Sequence, residues 1–135
     1  MIALLDTDIC IALIRHKPPA LFQRLTSHMP DEIRISAITA AELEYGVRKS
    51  QHPDRNGEAL RRFLLPLAIV AFDAAAADAY GHLRATLERQ GTTTGALDLL
   101  IAAQAVSLGC TLVTNNDREF ARVPGLRVEN WLREE

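Results

Sequence analysis

Short apolar runs alternate along this chain with longer stretches in which apolar residues recur at helical spacing. Each run has the length of a strand, and turn-forming or helix-capping residues stand between the runs and the longer stretches. Strands are therefore predicted at residues 2–5, 33–36, 67–72, 111–114 and 126–129. Because the run at 67–72 is uninterrupted, it predicts a buried strand.

The stretches between the strands predict helices. The first begins at Ile9, with Thr7 or Asp8 as its N-cap. A later helix begins near Thr39 and ends before the polar residues 49–56, and its spacing Thr39-x-x-Glu42 is typical of a capping box. The other helices are predicted at residues 20–28, at 58–65, from the cap Asp73 to residue 90, and from Asp98 onward.

Short strands separated by helices indicate parallel strands joined by crossovers, and hence a sheet covered by helices on both faces. A length of 135 residues predicts a single domain over residues 1–135. In such sheets, sites form outside the carboxyl ends of the strands, at the point where the strand order reverses. The fold class alone therefore predicts where functional side chains should collect.

Composition narrows the function classes only slightly. Apolar residues make up 48% of the chain and charged residues 24%, which is typical of a globular protein, and the net charge of −2 provides no overall basic field for nucleic acid. No stretch approaches the roughly 20 apolar residues of a membrane span, and no basic segment precedes Asp6 as in a signal peptide. We therefore expect a cytoplasmic protein.

Acidic residues stand at the ends of several predicted elements. Asp6 follows the first strand, Glu42 and Asp98 lie in two helices, and a polar cluster at 115–119 follows the strand at 111–114. Helix capping is the structural alternative for Asp6 and Asp8, and the capping box is the alternative for Glu42. Acids so far apart in the chain, each attached to an apolar element, nevertheless predict one site assembled by folding.

Asp98 is the hardest of these acids to explain as a surface residue. At helical spacing it heads the apolar stripe Asp98, Ile101, Ala102 and Ala105, which predicts that its carboxylate points toward the core. A buried, unpaired charge costs several kcal/mol, so it needs a cation or strong hydrogen-bond donors. Carboxylate oxygens suit Mg²⁺ or Mn²⁺, and the sequence has no zinc-type cluster, serine-nucleophile turn or Walker-type loop. Metal-assisted phosphodiester hydrolysis is the best match.

Four ordered motifs and a closing segment resemble one known family. They read LLDTDICI at residues 4–11, ISAITAAELEYGV at 35–47, DLLIAAQA at 98–105, LVTNNDREF at 112–120 and VENW at 128–131. In this order and spacing they resemble the PIN-domain ribonucleases, and specifically the VapC toxins of bacterial toxin–antitoxin pairs. The resemblance runs almost from one end of the chain to the other.

The resemblance implies a fold and an activity. The fold is a three-layer α/β/α sandwich with a central parallel sheet. The activity is endonucleolytic cleavage of RNA (tRNA, rRNA or mRNA) by a metal-activated water, with Mg²⁺ as cofactor and Mn²⁺ as a substitute. Asp6, Glu42 and Asp98 match the family's acidic triad and are its implied metal ligands, with Asp6 and Asp98 the direct ones.

The chain departs from the family pattern at two positions. Asp8 stands where the family usually has Asn, and Asn116 occupies a place where many relatives carry a fourth acid. Glu119 matches an acid found just before Phe in related toxins and is the candidate for the fourth catalytic carboxylate, ahead of Asp117.

Further residues are candidates for holding the substrate or orienting the acids. Ser36, Thr114 and Asn116 could donate hydrogen bonds to phosphate or to the carboxylates, with helix capping or strand-end pairing as an equal alternative for each. Phosphate contacts dominate nucleic-acid affinity, so exposed cations are also candidates. They are Arg15, Lys17, Arg48, Lys49, Arg84 and Arg118, with an ion pair to Glu88 as the alternative for Arg84.

The resemblance also implies partners. It favours a homodimer that binds a VapB-like antitoxin, and a higher hetero-oligomer with that antitoxin, with an antitoxin Arg or Lys reaching the acids. Apolar faces that suit either the core or a partner surface include Ala12, Leu13, Leu43, Val47, Leu60 and Leu64.

Two other functions remain open at this point. Asp6-Thr7-Asp8 after the first strand is also the pattern of a haloacid-dehalogenase-like phosphatase, in which Asp6 would be a covalent nucleophile, but no matching Lys motif follows. A catalytically inactive PIN-fold module that binds RNA is the second alternative, because Asn116 replaces an acid. Clustered acids without a metal would repel one another, which argues against that alternative.

Overall fold

Five parallel strands form one sheet in this computed structural model, which describes residues 3–28 and 30–133. The first position of the first predicted strand, Ile2, lies outside the described residues. The strands are β1 (Ala3–Leu5), β2 (Ile33–Ser36), β3 (Ala68–Val70), β4 (Thr111–Val113) and β5 (Arg127–Glu129). Their order is β3-β2-β1-β4-β5 with every neighbouring pair parallel, which confirms the predicted sheet.

Helices cover both faces of this sheet, as the pattern predicted. They are α1 (Thr7–Arg15), α2 (Pro19–Thr26), α3 (Ala37–Arg48), α4 (Pro53–Leu64), α5 (Ala74–Arg89), α6 (Ala96–Leu108) and α7 (Asp117–Phe120). Two apolar clusters hold the layers together. One contains side chains of the four helices α1, α2, α3 and α4, packed on Leu5 and Ile35 of the sheet. The other contains side chains of α5, α6 and α7, packed on Leu4 and Leu112. Neighbouring residues of β1 thus face opposite layers, as strand geometry requires.

Two predicted helix starts were wrong, and both errors concern the site. Helix α1 begins at Thr7, with Asp6 rather than Thr7 or Asp8 as its N-cap, because the Asp6 carboxylate accepts a hydrogen bond from the Thr7 backbone N–H at 2.8 Å. Helix α3 begins at Ala37 because Ser36 caps it by accepting from the N–H of Ile38. The capping box at Thr39 is therefore absent from α3.

Three other elements differ from the sequence prediction, one in its burial and two in the residue at which they begin. Strand β3 is at the edge of the sheet and largely exposed, with Ile69 49% exposed, so the prediction of a buried strand was wrong. Helix α4 begins at Pro53, a residue that suits a first helical position. The prediction began this helix five residues later because its first turns are exposed and show no apolar pattern. Helix α6 begins at Ala96, which places Asp98 in its first turn.

The described residues include no helix long and apolar enough to cross a membrane. Cys10 and Cys110 are both buried and form no disulfide bond.

Candidate active site

The strand order reverses between β1 and β4, which are neighbours in the sheet although the helices α1 to α6 and the strands β2 and β3 separate them in the chain. Leu5 pairs with Val113, so the residues that follow these strands, Asp6 and Thr114, leave the same edge of the sheet. This is the switch point at which α/β sheets form their sites. Asp6 and Thr114 are joined there by a hydrogen bond.

Asp6 is held rigidly at this edge. The side chain is 5% exposed; its Oδ1 accepts from the Thr7 N–H and its Oδ2 accepts from the Thr114 hydroxyl, both at 2.8 Å. Burial, and next the charge of Asp8, raise the pKa of Asp6 to about 7 against an ordinary 3.8, although both hydrogen bonds act in the opposite direction. A smaller increase comes from Asp98. The carboxylate is fixed in place but lacks a counter-charge.

Asp8 stands one residue beyond the start of α1 and faces the same edge. Its Oδ2 accepts from the backbone N–H of Asn115 at 3.1 Å, which ties α1 to the loop after β4. Its Oδ1 is shielded from solvent and has no hydrogen-bond partner among the described residues. Burial raises the pKa of Asp8. An orphaned carboxylate oxygen beside a second buried acid is a place where a cation would be stabilised.

Glu42 reaches the site from α3. Its Oε1 accepts from the Thr7 hydroxyl at 2.7 Å, and that hydroxyl also lies 3.4 Å from the hydroxyl of buried Thr39. Thr7 was predicted only as a helix cap, but its hydroxyl holds an acid 35 residues away in the chain. The position of Thr7 directly after Asp6 was the sequence signal that could have indicated this role. Glu42 is thus hydrogen-bonded to the first residue of α1, which follows Asp6 in the chain.

Asp98 lies at the centre of the acids. It is half-buried, while Ile101, Ala102 and Ala105 of its stripe are fully buried, so the stripe faces the core and Asp98 sits at its open end. Burial is the first cause of its raised pKa, followed by the charges of Glu42, Glu119 and Asp8.

Because Asp98 also raises the pKa of Asp6, its interactions connect all these carboxylates. The acids predicted to share one site thus lie within electrostatic range of Asp98.

The cluster after β4 contributes one acid and turns another away. Glu119 accepts from the Asn116 side-chain amide at 2.7 Å and affects Asp98 electrostatically. Asp117 pairs with Arg133, whose two guanidinium contacts lie at 2.8 and 3.2 Å. Burial would raise the pKa of Asp117, but hydrogen bonds from Asn130 and the charge and hydrogen bonds of Arg133 outweigh it, so the pKa is lowered. This geometry favours Glu119 as the fourth acid.

Two of the hydroxyl candidates have clear structural roles. Thr114 is fully buried, donates to Asp6 and accepts from the N–H of Asn116 at 3.0 Å, so it orients an acid. Ser36 is also fully buried, caps α3 and donates to the side chain of Gln104, whose amide in turn donates to the carbonyls at the end of β3. Both hydrogen bonds of Ser36 are therefore structural, and its side chain is shielded from solvent. Gln104 was missed, although a single polar residue inside an apolar helix stretch was a visible signal.

The candidate cations are all exposed, and they differ in the groups that they contact. Arg15 lines a cavity of about 140 Å³ that extends to Glu42, and Lys49 lies over the ring of Tyr45. Arg84 instead contacts Tyr80 at 3.0 Å and Glu88 at 3.8 Å, which confirms the ion-pair alternative for it. Lys17, Arg48 and Arg118 are exposed without an assigned contact to the acids.

The donor set fits a hard divalent cation bound partly through water. Within residues 3–28 and 30–133, no three His, Cys, Asp or Glu side chains stand close enough to form a ready metal-binding group. Mg²⁺ does not require one, since it usually takes one or two carboxylates and completes its shell with water and substrate phosphate. Asp6 and Asp98, with raised pKa values, and the orphaned Oδ1 of Asp8 supply the oxygen atoms and the uncompensated charge.

Comparison with known proteins places this arrangement among described relatives. A family model for the PIN domain matches residues 3–126. The tRNA(fMet)-specific endonuclease VapC of Shigella flexneri is 44% identical over 95% of this chain and 96% of its own.

Two solved complexes contain chains of the same fold. One is VapBC2 from Rickettsia felis bound to a DNA fragment from its promoter, with 42% identity, a TM-score of 0.92, and coverage of 97% of this chain and 99% of that one. The other is DNA-bound VapBC from Salmonella typhimurium, with 41% identity, a TM-score of 0.94, and coverage of 97% and 98%.

Proposed function

Since this chain belongs to the PIN-domain family, as one of its VapC ribonucleases, we propose that it cleaves RNA with a divalent metal ion held at the carboxyl edge of its sheet. The position of Asp98 supports this proposal most strongly, because it interacts electrostatically with both Asp6 and Glu42, and a bound cation would offset the burial and the repulsion of these carboxylates. Mg²⁺ is the proposed ion and Mn²⁺ its substitute.

Each acid has a separate part in this proposal. Asp6 and Asp98 would hold the ion directly, with Glu42 and Glu119 completing the acidic ring through water. When bound, the ion would stabilise charge on the phosphodiester and lower the pKa of a water molecule. Thr114 and Thr7 keep the carboxylates of Asp6 and Glu42 in fixed positions, so little reorganisation is needed when a substrate arrives.

The scaffold also favours a phosphate group at this edge. Helices α1 and α6 both begin beside the acids, with Asp6 as the cap of one and Asp98 in the first turn of the other. The N-terminus of a helix carries a partial positive charge and unpaired N–H groups, which attract anions. A phosphodiester would therefore be drawn toward the acids by the backbone as well as by the metal.

We propose tRNA as the first substrate class to test. The Shigella flexneri relative is named as specific for tRNA(fMet) and matches this chain over nearly all of both lengths. The absence of an overall basic field, at a net charge of −2, fits an enzyme that selects a folded RNA by local contacts.

The decisive experiment compares RNA cleavage by purified, partner-free protein with Mg²⁺, with Mn²⁺ and with EDTA. Initiator tRNA, elongator tRNA and ribosomal RNA serve as substrates. We expect metal-dependent cutting that Asp98→Asn abolishes and that Asp78→Asn retains, since Asp78 is an exposed acid on α5 whose side chain is 79% exposed. Cutting that persists in EDTA would refute the metal proposal, and a folded protein that binds RNA without cutting it would favour the inactive binding module. The PIN-family match leaves the phosphatase alternative without support.

We further propose that a VapB-like antitoxin covers the groove beside α1, in the cytoplasm. The similar solved structures are VapBC complexes, and the described surface offers two adjoining apolar cavities. The cavity of about 140 Å³ ends at Glu42, and a second of about 450 Å³ continues from Ile14 and Ala59 toward Leu25 and Phe63.

A partner helix with one basic side chain would fill this groove and neutralise the acids together. Leu13, Leu43 and Leu60 are buried in the core beneath the groove. The same helix faces therefore contribute to the core and, in this proposal, to the surface that binds the antitoxin. The homodimer stays a prediction, which analytical ultracentrifugation of the partner-free protein checks.

A further inference from the structure

An aromatic ring stands in solvent one helical turn from the acids. Tyr45 is 66% exposed and follows Glu42 by three residues on α3. Residues at this spacing share a helix face, and side chains on a helix tilt toward its N-terminus. Because Glu42 accepts a hydrogen bond from Thr7, the residue after Asp6, Tyr45 lies on the side of α3 that faces the site. The ring is therefore within reach of a substrate whose phosphate contacts the acids.

A cation accompanies the ring. The ammonium nitrogen of Lys49 lies 5.1 Å from the centroid of Tyr45, one further turn along the same stripe. Arg48 beside it is also exposed. Exposed aromatic faces next to cations are the usual components of surfaces that bind single-stranded RNA, because the ring stacks on a base while the cation contacts the backbone.

We infer that Tyr45 stacks on an unpaired base of the RNA substrate beside the scissile phosphate, while Lys49 contacts a neighbouring phosphate. This inference rests on the proposed function and adds a requirement to it. Bases in an A-form duplex are stacked inside the helix and cannot reach a side chain on the protein surface. The enzyme should therefore select RNA that presents an unpaired nucleotide at the cleavage site, such as a loop.

A peptide partner is a poorer match for this ring than RNA. The apolar cavity nearer to this ring is lined by α1, α4 and the face of α3 that carries Leu43 and Val47, and Tyr45 is outside the linings found for both cavities in the described part of the chain. Its surroundings are instead the acid Glu42 and the cations Arg48 and Lys49. Those charges suit a phosphate backbone that follows the ring toward a metal ion.

The test measures RNA binding in the Asp98→Asn protein, so that cleavage does not interfere. Fluorescein-labelled hairpin RNA with an unpaired loop is compared with a fully paired duplex of the same stem. Tyr45→Ala should weaken hairpin binding by about fivefold to 150-fold, the range for loss of one base–aromatic stack. Tyr45→Phe should bind like its parent. Lys49→Gln should reduce the salt dependence of binding by about one phosphate contact.

Phe22→Ala is the matched control, because Phe22 is also an exposed aromatic residue, 49% exposed, but lies on α2. It should leave hairpin affinity unchanged. A direct readout uses the tryptophan fluorescence of the Tyr45→Trp protein, with the signal of buried Trp131 subtracted by measuring the parent. Hairpin RNA should quench this fluorescence and duplex RNA should not.

The outcomes separate this inference from the proposed function. If the wild type cuts no RNA but hairpin RNA still quenches Tyr45→Trp, the nuclease proposal fails and the stacking surface stands. If the wild type cuts RNA but Tyr45→Ala binds the hairpin within twofold of its parent, the stacking inference is wrong. Loss of antitoxin binding by Tyr45→Ala with unchanged RNA binding would equally overturn it and assign the ring to the protein partner.

Discussion

Replacing Thr114 by valine tests how the scaffold controls the acids. The substitution preserves the shape of a fully buried side chain but removes the hydroxyl that donates to Asp6 Oδ2 at 2.8 Å and accepts from Asn116 N–H at 3.0 Å. A hydrogen bond to a charged group contributes roughly 1.5–3 kcal/mol. Since this bond favours the ionised form, its loss should raise the pKa of Asp6 by about one to two pH units.

The assay is Mg²⁺ affinity measured by calorimetry between pH 6 and pH 9. Asp6 must be ionised to bind the metal, and its pKa of about 7 without metal already places it near the middle of its titration at neutral pH. Below that pKa, each pH unit should cost about tenfold in affinity. Thr114→Val should therefore need a pH about one to two units higher than the wild type to reach the same affinity.

Thr114→Ser is the matched variant, because it keeps the hydroxyl and should restore the wild-type profile. Thermal unfolding of each protein shows whether the fold is retained. If Thr114→Val binds Mg²⁺ with the wild-type pH dependence, then Thr114 does not control the charge of Asp6. The reasoning about this hydrogen bond would then be refuted.

Three further predictions follow from the same contacts. In metal-free protein, the pKa of Asp6 is higher in the folded state, at about 7, than its ordinary 3.8. The free energy of unfolding should therefore fall by up to about 4 kcal/mol as the pH rises from about 4 to about 7. Chemical denaturation measures this dependence, and Asp6→Asn should flatten it. Glu119→Gln should reduce RNA cleavage more than Asp117→Asn, since Asp117 pairs with Arg133; equal losses in single-turnover assays would contradict the assignment. Ile11→Gln, at 37% exposure beside the groove, should weaken antitoxin binding in calorimetry about tenfold, the effect of about 1.4 kcal/mol, whereas Leu108→Gln at 39% exposure should not. An unchanged affinity for Ile11→Gln would place the partner elsewhere.

The fold was predictable because local pattern and topology agree. The segments that became β1 and β4 are short and mostly apolar, those that became β2 and β5 alternate apolar with polar residues, and parallel strands require crossover connections. The same rule predicted that Asp6 and the residues after β4 would meet at one edge, and they do. The error in β3 came from position: an apolar run predicts a strand, but only the strand order shows that it lies at an edge of the sheet.

The acids were easier to predict than the groups that hold them. Asp6, Glu42 and Asp98 stood out because a carboxylate attached to an apolar element must be compensated by a cation or by hydrogen-bond donors. Thr114 was a candidate for orienting an acid only on equal terms with capping or strand-end pairing, and Thr7 was predicted only as a cap, because a hydroxyl after a strand commonly bonds to the nearby backbone. Their roles depend on which strand lies next to β1 and on how α3 crosses α1, and those are properties of the assembled fold.

The capping errors have the same origin. Thr39-x-x-Glu42 has the spacing of a capping box, but Ser36 caps α3 three residues earlier, which leaves Glu42 free to accept from Thr7. Ser is only slightly preferred over Thr as an N-cap. The helix therefore starts after Ser36 because β2 ends there and because Gln104 holds the Ser36 side chain in place.

Direct measurement of Mn²⁺ binding without RNA tests most directly the claim that distant acids form one metal site. Electron paramagnetic resonance of free Mn²⁺, titrated with the wild type, with Asp6→Asn, with Asp98→Asn and with Asp78→Asn, gives the affinity of each protein. The account predicts that the wild type and Asp78→Asn bind Mn²⁺ equally and that either site variant binds at least tenfold more weakly, a loss of about 1.4 kcal/mol. Undiminished binding by Asp6→Asn and by Asp98→Asn, in proteins that unfold at the wild-type temperature, would contradict it.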